Sequence, residues 1–234
     1  MEYRRLGKTP LQVSAVGFGT AQLRLTPENQ AIDTLLKGFD LGVNIIHTAP
    51  DYGNATDLIA KALNRTSKKI IVASQGYDRP LNENGPVDHF ESLFESTCAC
   101  FGTDRLDLYG IACIDDREIH KENVWGKNGM VDFLLEKKAQ GRLGAIFCST
   151  HGSPEYVKKI VRCGVFDAIM IAHNILGYHL LTCSPPPDRH FESLHRNREE
   201  IFPLCREHDV GLMIMKPFGG GLLCRSHAFP PLLR

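Results

Sequence analysis

Residues 38–63 read GFDLGVNIIHTAPDYGNATDLIAKAL and predict two helices joined by a buried strand. Gly42 ends a predicted helix over Gln30–Leu41, since glycine is the residue that most often follows the last helical turn. The apolar run Val43–Thr48 then predicts a strand, and Ala55–Leu63 predicts the next helix. This order of elements is typical of a βα unit, with Tyr52 in the loop that leaves the strand.

The same alternation of strand and helix extends along the chain in both directions. Most of the strands are continuous apolar runs, which indicates parallel strands that are covered on both faces. The predicted strands are Val13–Gly17, Val43–Thr48, Lys69–Ser74, Leu106–Ala112, Leu143–Ser149, Phe166–Ala172 and Gly211–Lys216. The remaining predicted helices are Pro86–Cys100, Gly129–Gln140, Pro154–Cys163 and Leu194–His208.

Seven strands at this spacing suit a barrel or a doubly wound sheet. No G-x-G-x-x-G follows the first strand, which argues against a dinucleotide-binding doubly wound domain. The sequence therefore predicts a single domain over residues 1–234, a parallel (β/α) barrel of the TIM type. Only 18 residues follow Lys216, whereas a further βα unit needs about 30. We therefore expect seven strands, a missing eighth unit and a chain that is a fragment.

Composition limits the classes of function. Lys+Arg and Asp+Glu both number 27, so the basic footprint of a nucleic-acid-binding protein is absent. No long apolar stretch or signal peptide is present, which predicts a cytoplasmic protein without a membrane partner. The expected partner is a small-molecule substrate. The eight cysteines are then expected to be reduced, and the C-x-C of Cys98 and Cys100 has the wrong spacing for a metal site.

Reactive groups of a barrel lie at the carboxyl ends of its strands. These positions hold His47, Gln75, Cys113, Ser149-Thr150-His151, His173-Asn174 and Lys216. Tyr52 follows the second strand, where its phenol would overhang the mouth of the barrel and could donate a proton to a carbonyl or an alkoxide. Tyr52, His47 and Gln75 are the candidate catalytic residues.

Several of these stretches also resemble one family. The opening YRRLGKTPLQVSAVGFGT, the segment at 38–63, GRLGAIFCSTHGS, FDAIMIAHN and MKPFGGGLL are similar to aldo-keto reductases, in order and over nearly the whole chain. The STHG and MKPFGGG pieces are closest to the branch that carries a C-terminal iron–sulfur extension. The resemblance implies a TIM-type barrel and an NAD(P)H-dependent carbonyl or alcohol oxidoreductase.

The resemblance also implies a tetrad of Asp, Tyr, Lys and His. In this sequence His47 stands at the Asp position, Gln75 at the Lys position and Ala112 at the His position, and Tyr52 alone matches. A free tyrosine titrates near pH 10 and needs a nearby ammonium to become a useful acid at neutral pH. We therefore expect a degenerate site in which ordinary carbonyl reduction is largely lost.

For the cofactor, the resemblance implies NADP(H). Ser149 matches the serine that faces the nicotinamide amide, and Thr150, Asn174 and Lys216 are the other candidate cofactor-binding residues. The positions where the family has a glutamine and a stacking aromatic residue hold Met170 and Met215. The contacts to the nicotinamide are therefore expected to be fewer than in the family.

Three classes of function stay open at this point. The first is the NAD(P)H-dependent oxidoreductase of the resemblance. The second is a non-redox acid–base enzyme, a lyase or an isomerase, that uses Tyr52 and His47. The third is a catalytically silent binding or regulatory member. A zinc site made by His47, Cys113, His151 and His173 lacks the short-range ligand pair of such sites, so no metal is predicted.

Overall fold

Parallel strands dominate the computed structural model, which describes residues 1–77, 86–114, 118–175 and 196–224. Seven strands follow one another in chain order in one sheet, β3-β4-β5-β6-β7-β8-β9, and every neighbouring pair is parallel. Helices connect the strands, and the sheet curls into a nearly closed barrel. The predicted fold class is confirmed. Within the described ranges, β9 and β3 do not pair with each other.

The strands are short and the helices span two to four turns. The strand bounds are β1 Tyr3–Arg5, β2 Gln12–Ser14, β3 Phe18–Gly19, β4 Ile45–His47, β5 Ile71–Gly76, β6 Leu106–Ile114, β7 Leu143–Thr150, β8 Ala168–Ala172 and β9 Gly211–Met215. The helix bounds are α1 Glu28–Asp40, α2 Ala55–Leu63, α3 Pro86–Phe101, α4 Glu118–Trp125, α5 Met130–Ala139, α6 Pro154–Arg162 and α7 Phe202–Glu207. Short 3-10 turns occur at Leu23–Leu25 and Gly219–Cys224, and a π-helical turn at Asn197–Ile201 precedes α7.

Side chains of alternate residues fill the inside of the barrel, because successive side chains of a strand point to opposite faces. The inner cluster contains Ile45, Ile71, Ala73, Leu108, Ala145, Phe147, Ala168 and Met170. The other face of the sheet packs against the helices through two further clusters. Continuing the inner rows of β4, β5 and β7 by two residues leads to His47, Gln75 and Ser149.

The first predicted strand, Val13–Gly17, is wrong. Residues Gln12–Ser14 instead pair antiparallel with Tyr3–Arg5, and the first barrel strand is the two-residue β3, Phe18–Gly19. Val13 is buried because it packs under the barrel, while Val16 is exposed between the two strands. An apolar run shows that a strand buries one face, but it does not show which sheet the strand joins.

The N-terminal hairpin covers the amino end of the barrel and contacts its last strand. Arg5 makes a bidentate ion pair with Asp209, at 2.8 and 2.9 Å. Gly7 has a φ of 53°, and a Cβ there would lie 2.2 Å from the backbone nitrogen of Gly211. Glycine is therefore required at residue 7 for the hairpin to approach β9.

The helices differ from the prediction at two places. Helix α4, Glu118–Trp125, was not predicted, and the predicted helix Leu194–His208 is described only from residue 196, as the π-helical turn and α7. Ser153 caps α6 by accepting a hydrogen bond from the backbone N–H of Tyr156. The cysteines in the described ranges are all free thiols, and Cys183 lies outside those ranges.

Candidate functional site

The carboxyl ends of the strands bring the three candidate catalytic residues together. The His47 and Tyr52 rings meet edge to face, with their centroids 6.0 Å apart. The amide of Gln75 lies beside the His47 imidazole and acts on its protonation, although in the part of the chain that the structure describes neither Gln75 Oε1 nor His47 Nε2 has a hydrogen-bond partner at ordinary geometry. Gln75 is 3% exposed. The mouth of the barrel thus holds buried polar atoms whose hydrogen-bonding capacity is unused.

His47 is uncharged at neutral pH. Burial lowers its pKa to about 4, the contact with Gln75 opposes this shift, and the positive charge of Lys216 adds to it. The ring also packs edge to face on Phe147, at 5.9 Å between centroids. A histidine in this state cannot supply the negative charge that a carboxylate would have at the same position.

Tyr52 is a weak acid for similar reasons. Burial, together with negative charge on Asp51 and Cys113, raises its pKa to about 12. Tyr77, which follows β5, donates a hydrogen bond to the Asp51 carboxylate, and burial and this bond raise the pKa of Tyr77 well above its ordinary value. Tyr52 can therefore donate a hydrogen bond at neutral pH, but it holds its proton firmly.

Cys113 lies in a bulge near the end of β6. The register with β7 shifts between Ile111 and Ile114, and the backbone φ of Cys113 is 55°, a left-handed conformation that is uncommon for residues with a Cβ. Its backbone N–H donates to Ser149 Oγ at 2.9 Å. The bulge places Cys113 close enough to Tyr52 for its charge to act on the tyrosine. Ala112, next to it, is buried and carries no polar group.

Lys216 enters the same region from the end of β9. Its φ is 56°, again left-handed, and its Nζ lies 3.3 Å from His151 Nε2 and 3.5 Å from Met215 Sδ. Burial lowers the pKa of the Lys216 ammonium, while Cys113 opposes that shift. Among the described residues, no carboxylate forms an ion pair with this ammonium. Lys216 therefore supplies positive charge to the mouth.

The other candidate cofactor residues are buried at the same end of the sheet. The Thr150 hydroxyl donates to the carbonyl oxygen of Ile114 at 2.6 Å and accepts from the backbone of Gly152. Ser149 Oγ accepts from the Cys113 backbone, and Asn174 is 5% exposed after β8. The hydroxyl of Thr150 is thus already engaged with the protein backbone.

Sequence reasoning missed two contacts of this site. Tyr77 and Asp51 follow different strands, and only their convergence at the mouth brings the phenol to the carboxylate. The contact between Lys216 and His151 likewise joins the ends of β9 and β7. All four residues follow the carboxyl ends of barrel strands, and this position in the sequence could have identified them as residues of the mouth.

The described ranges contain no group of three or more His, Cys, Asp or Glu side chains that could hold a metal ion. In the same ranges, no helix combines the length and the apolar character that crossing a membrane requires.

A parallel barrel with a tyrosine, a lysine and histidines at its carboxyl mouth defines a class of small-molecule enzymes and binding proteins. The model of the aldo/keto reductase family matches residues 15–231, so the chain belongs to that family. Curated relatives are distant. The NADH-specific methylglyoxal reductase of Escherichia coli is 25% identical over 93% of this chain and 68% of its own length. The L-galactose dehydrogenase of Arabidopsis thaliana is 38% identical, over 33% of this chain.

Solved structures agree on the fold. The aldo-keto reductase AKR11C1 of Bacillus halodurans, in its holo form, superposes with a TM-score of 0.73 at 24% sequence identity. The match includes 99% of this chain and 71% of that chain. An aldo/keto reductase of Klebsiella pneumoniae in complex with NADP and acetate has a TM-score of 0.68 at 19% identity, with 96% and 71% covered. At these identities the likeness shows the barrel alone.

Proposed function

We propose that this chain is an aldo-keto reductase family member whose NADP(H)-dependent reduction of simple carbonyl compounds is strongly reduced. The observation that carries this proposal is the charge state of the mouth. The Tyr52 ring contacts His47, which lies beside Gln75, so neither a carboxylate nor an ammonium stands at these two positions, and the pKa of Tyr52 is raised to about 12. Within the family we place the chain nearest to the branch with the iron–sulfur extension, on the motifs at 149–152 and 215–221.

Tyr52 is the proposed proton donor. At neutral pH its phenol holds a proton and can hydrogen-bond a carbonyl oxygen, which polarises that carbonyl. Transfer of the proton is disfavoured because burial destabilises the phenolate that remains. Gln75 has no charge to offset this effect, and Ala112 offers no second donor to orient the carbonyl.

The proposed cofactor-binding residues are Ser149, Thr150, Asn174 and Lys216. The Lys216 ammonium, which no carboxylate of the described residues neutralises, supports this assignment, because a cation at the strand ends suits an anionic ligand such as the dinucleotide. When bound, NADPH would supply a hydride to the carbonyl carbon. Met170 and Met215 are apolar, so binding of the nicotinamide is expected to be weak.

The test compares the unmodified protein with a triple variant, His47→Asp, Gln75→Lys and Ala112→His. Each is assayed for NADPH binding by fluorescence and for oxidation of NADPH with a panel of aldehydes. The variant is expected to turn over about 100-fold faster, since general acid catalysis contributes about that much. Gln75→Lys alone is the control, because a buried lysine without its carboxylate is not expected to restore activity. Robust turnover by the unmodified protein contradicts the proposal.

A second candidate is a non-redox acid–base enzyme that uses Tyr52 and His47. The neutral His47 and its unpartnered Nε2 favour it, because an uncharged imidazole can accept a proton. If neither protein binds NADPH, Tyr52→Phe becomes the deciding variant. A lyase or isomerase loses its activity with this change, whereas a silent binding protein keeps its ligand affinity.

A further inference from the structure

The Lys216–His151 contact is the feature of the mouth that the proposed reductase chemistry does not require. Lys216 holds a left-handed φ of 56°, a strained conformation for a lysine that persists only where the surrounding structure enforces it. Its Nζ lies 3.3 Å from His151 Nε2, and both side chains are half-buried. The amine is thus held at the mouth beside an imidazole, on a side chain that is only partly buried.

Two other polar groups of the mouth point to a ligand. His47 Nε2 and Gln75 Oε1 are buried, and within the described ranges neither atom meets a partner at ordinary hydrogen-bond geometry, although the two side chains lie beside each other and the charge of Lys216 acts on His47. Buried polar atoms normally have partners, so these two favour a molecule that supplies them. A hydroxyl group suits both, because it donates and accepts and therefore fits either orientation of the amide and either tautomer of the ring.

We propose that Lys216 is an imine-forming amine that binds a small hydroxylated aldehyde or ketone covalently, with His151 as its proton acceptor. The ammonium first gives a proton to His151. The free nitrogen pair then attacks the carbonyl carbon, forming a C–N bond, and the carbonyl oxygen takes a proton. The nitrogen then gives a proton to His151, the hydroxyl oxygen takes that proton, the C–O bond breaks and water leaves, so that ammonium and carbonyl compound give a protonated imine and water without any oxidant or reductant.

The electrostatic surroundings of Lys216 support this chemistry. Burial lowers the pKa of the ammonium, so a larger fraction of the amine is free at neutral pH than at a surface lysine. The groups that face it are His47 on β4, Cys113 on β6 and His151 after β7. None of the carboxylates in the described ranges pairs with the ammonium, and the effect of burial on its pKa outweighs that of the Cys113 charge, which favours the protonated form.

The experiment traps the imine. Protein at pH 7 is mixed with glyceraldehyde and cyanoborohydride, without any nucleotide, and peptide masses report which lysines gain a reduced adduct. Lys216 is expected to label at least about tenfold faster than Lys159, an exposed lysine on α6 that serves as the internal control. Equal rates at the two lysines overturn the proposal. Because no nucleotide is present, the result is independent of reductase activity.

Two variants test the neighbours of Lys216. His151→Leu is expected to slow labelling of Lys216 about tenfold through loss of the proton acceptor, with the rate at Lys159 unchanged. Gln75→Leu is expected to abolish the preference for glyceraldehyde over propanal. The circular dichroism spectra of both variants verify that the barrel is folded. Unchanged labelling of Lys216 in folded His151→Leu contradicts the role of the imidazole.

Discussion

Acidification should destabilise this barrel through His47. The pKa of His47 is lowered to about 4 in the folded protein, against an ordinary value of 6.5. At a pH between these values, His47 binds a proton in the unfolded chain but not in the folded protein. The contribution of neutral His47 to the free energy of unfolding is therefore fully present above pH 6.5 and is lost as the pH falls toward 4. At 1.36 kcal/mol for each tenfold change, the loss between pH 7.5 and pH 4.5 is on the order of 2 kcal/mol.

The assay is urea unfolding, followed by circular dichroism at pH 7.5, 6.5, 5.5 and 4.5. Other acidic groups contribute to the same pH range, so the measured quantity is the difference between the unmodified protein and His47→Gln. The unmodified protein should lose on the order of 2 kcal/mol more than the variant over this range. His208→Gln, at an exposed histidine, is the control and should follow the unmodified protein. If the free energy of unfolding fell equally with pH in the unmodified protein and in His47→Gln, folded His47 would have an ordinary pKa and the reasoning would be refuted.

Two further predictions concern stability. Gly110→Ala should lower the free energy of unfolding in urea by about 3 kcal/mol or more, because the new Cβ would lie 2.1 Å from the Phe147 carbonyl oxygen. Gly19→Ala is the control: its Cβ would meet nothing within 4 Å, so stability should change by less than about 0.5 kcal/mol. Asp167→Ala should cost about 3 kcal/mol, since this buried carboxylate accepts hydrogen bonds from Lys138 and the Ile146 backbone. The exposed Asp40→Ala should cost less than about 1 kcal/mol, and similar losses for the two aspartates would contradict this assignment.

The sequence predicted the barrel well because its signals are local. Continuous apolar runs mark β4 to β9, and the alternation of strand and helix leaves few topologies open. The position of Gln75 beside His47 also follows from local rules. His47 pairs with Ala73, and Gln75 is the next inward residue of the same strand.

The properties of the site that depend on tertiary packing could not be predicted. The sequence shows a histidine at position 47, but its uncharged state results from burial and from the charge of Lys216, a residue far away in the chain. The bulge that places Cys113 near Tyr52 likewise depends on the pairing of β6 with β7. The functional roles of Tyr52, His47 and Gln75 stay predictions that the proposed variants test.

The hairpin that covers the amino end of the barrel has a consequence for the order of folding. Arg5 and Asp209 are separated by 204 residues, and the backbone of Gly7 fits against that of Gly211. Contacts this distant in sequence form slowly, because the entropy of closing so long a loop must be lost before they contribute. During synthesis the first strands must therefore wait, with the apolar side chains of the hairpin uncovered, until residues 209–211 have left the ribosome. Early folding should begin between neighbouring βα units, and docking of the hairpin should be among the last steps.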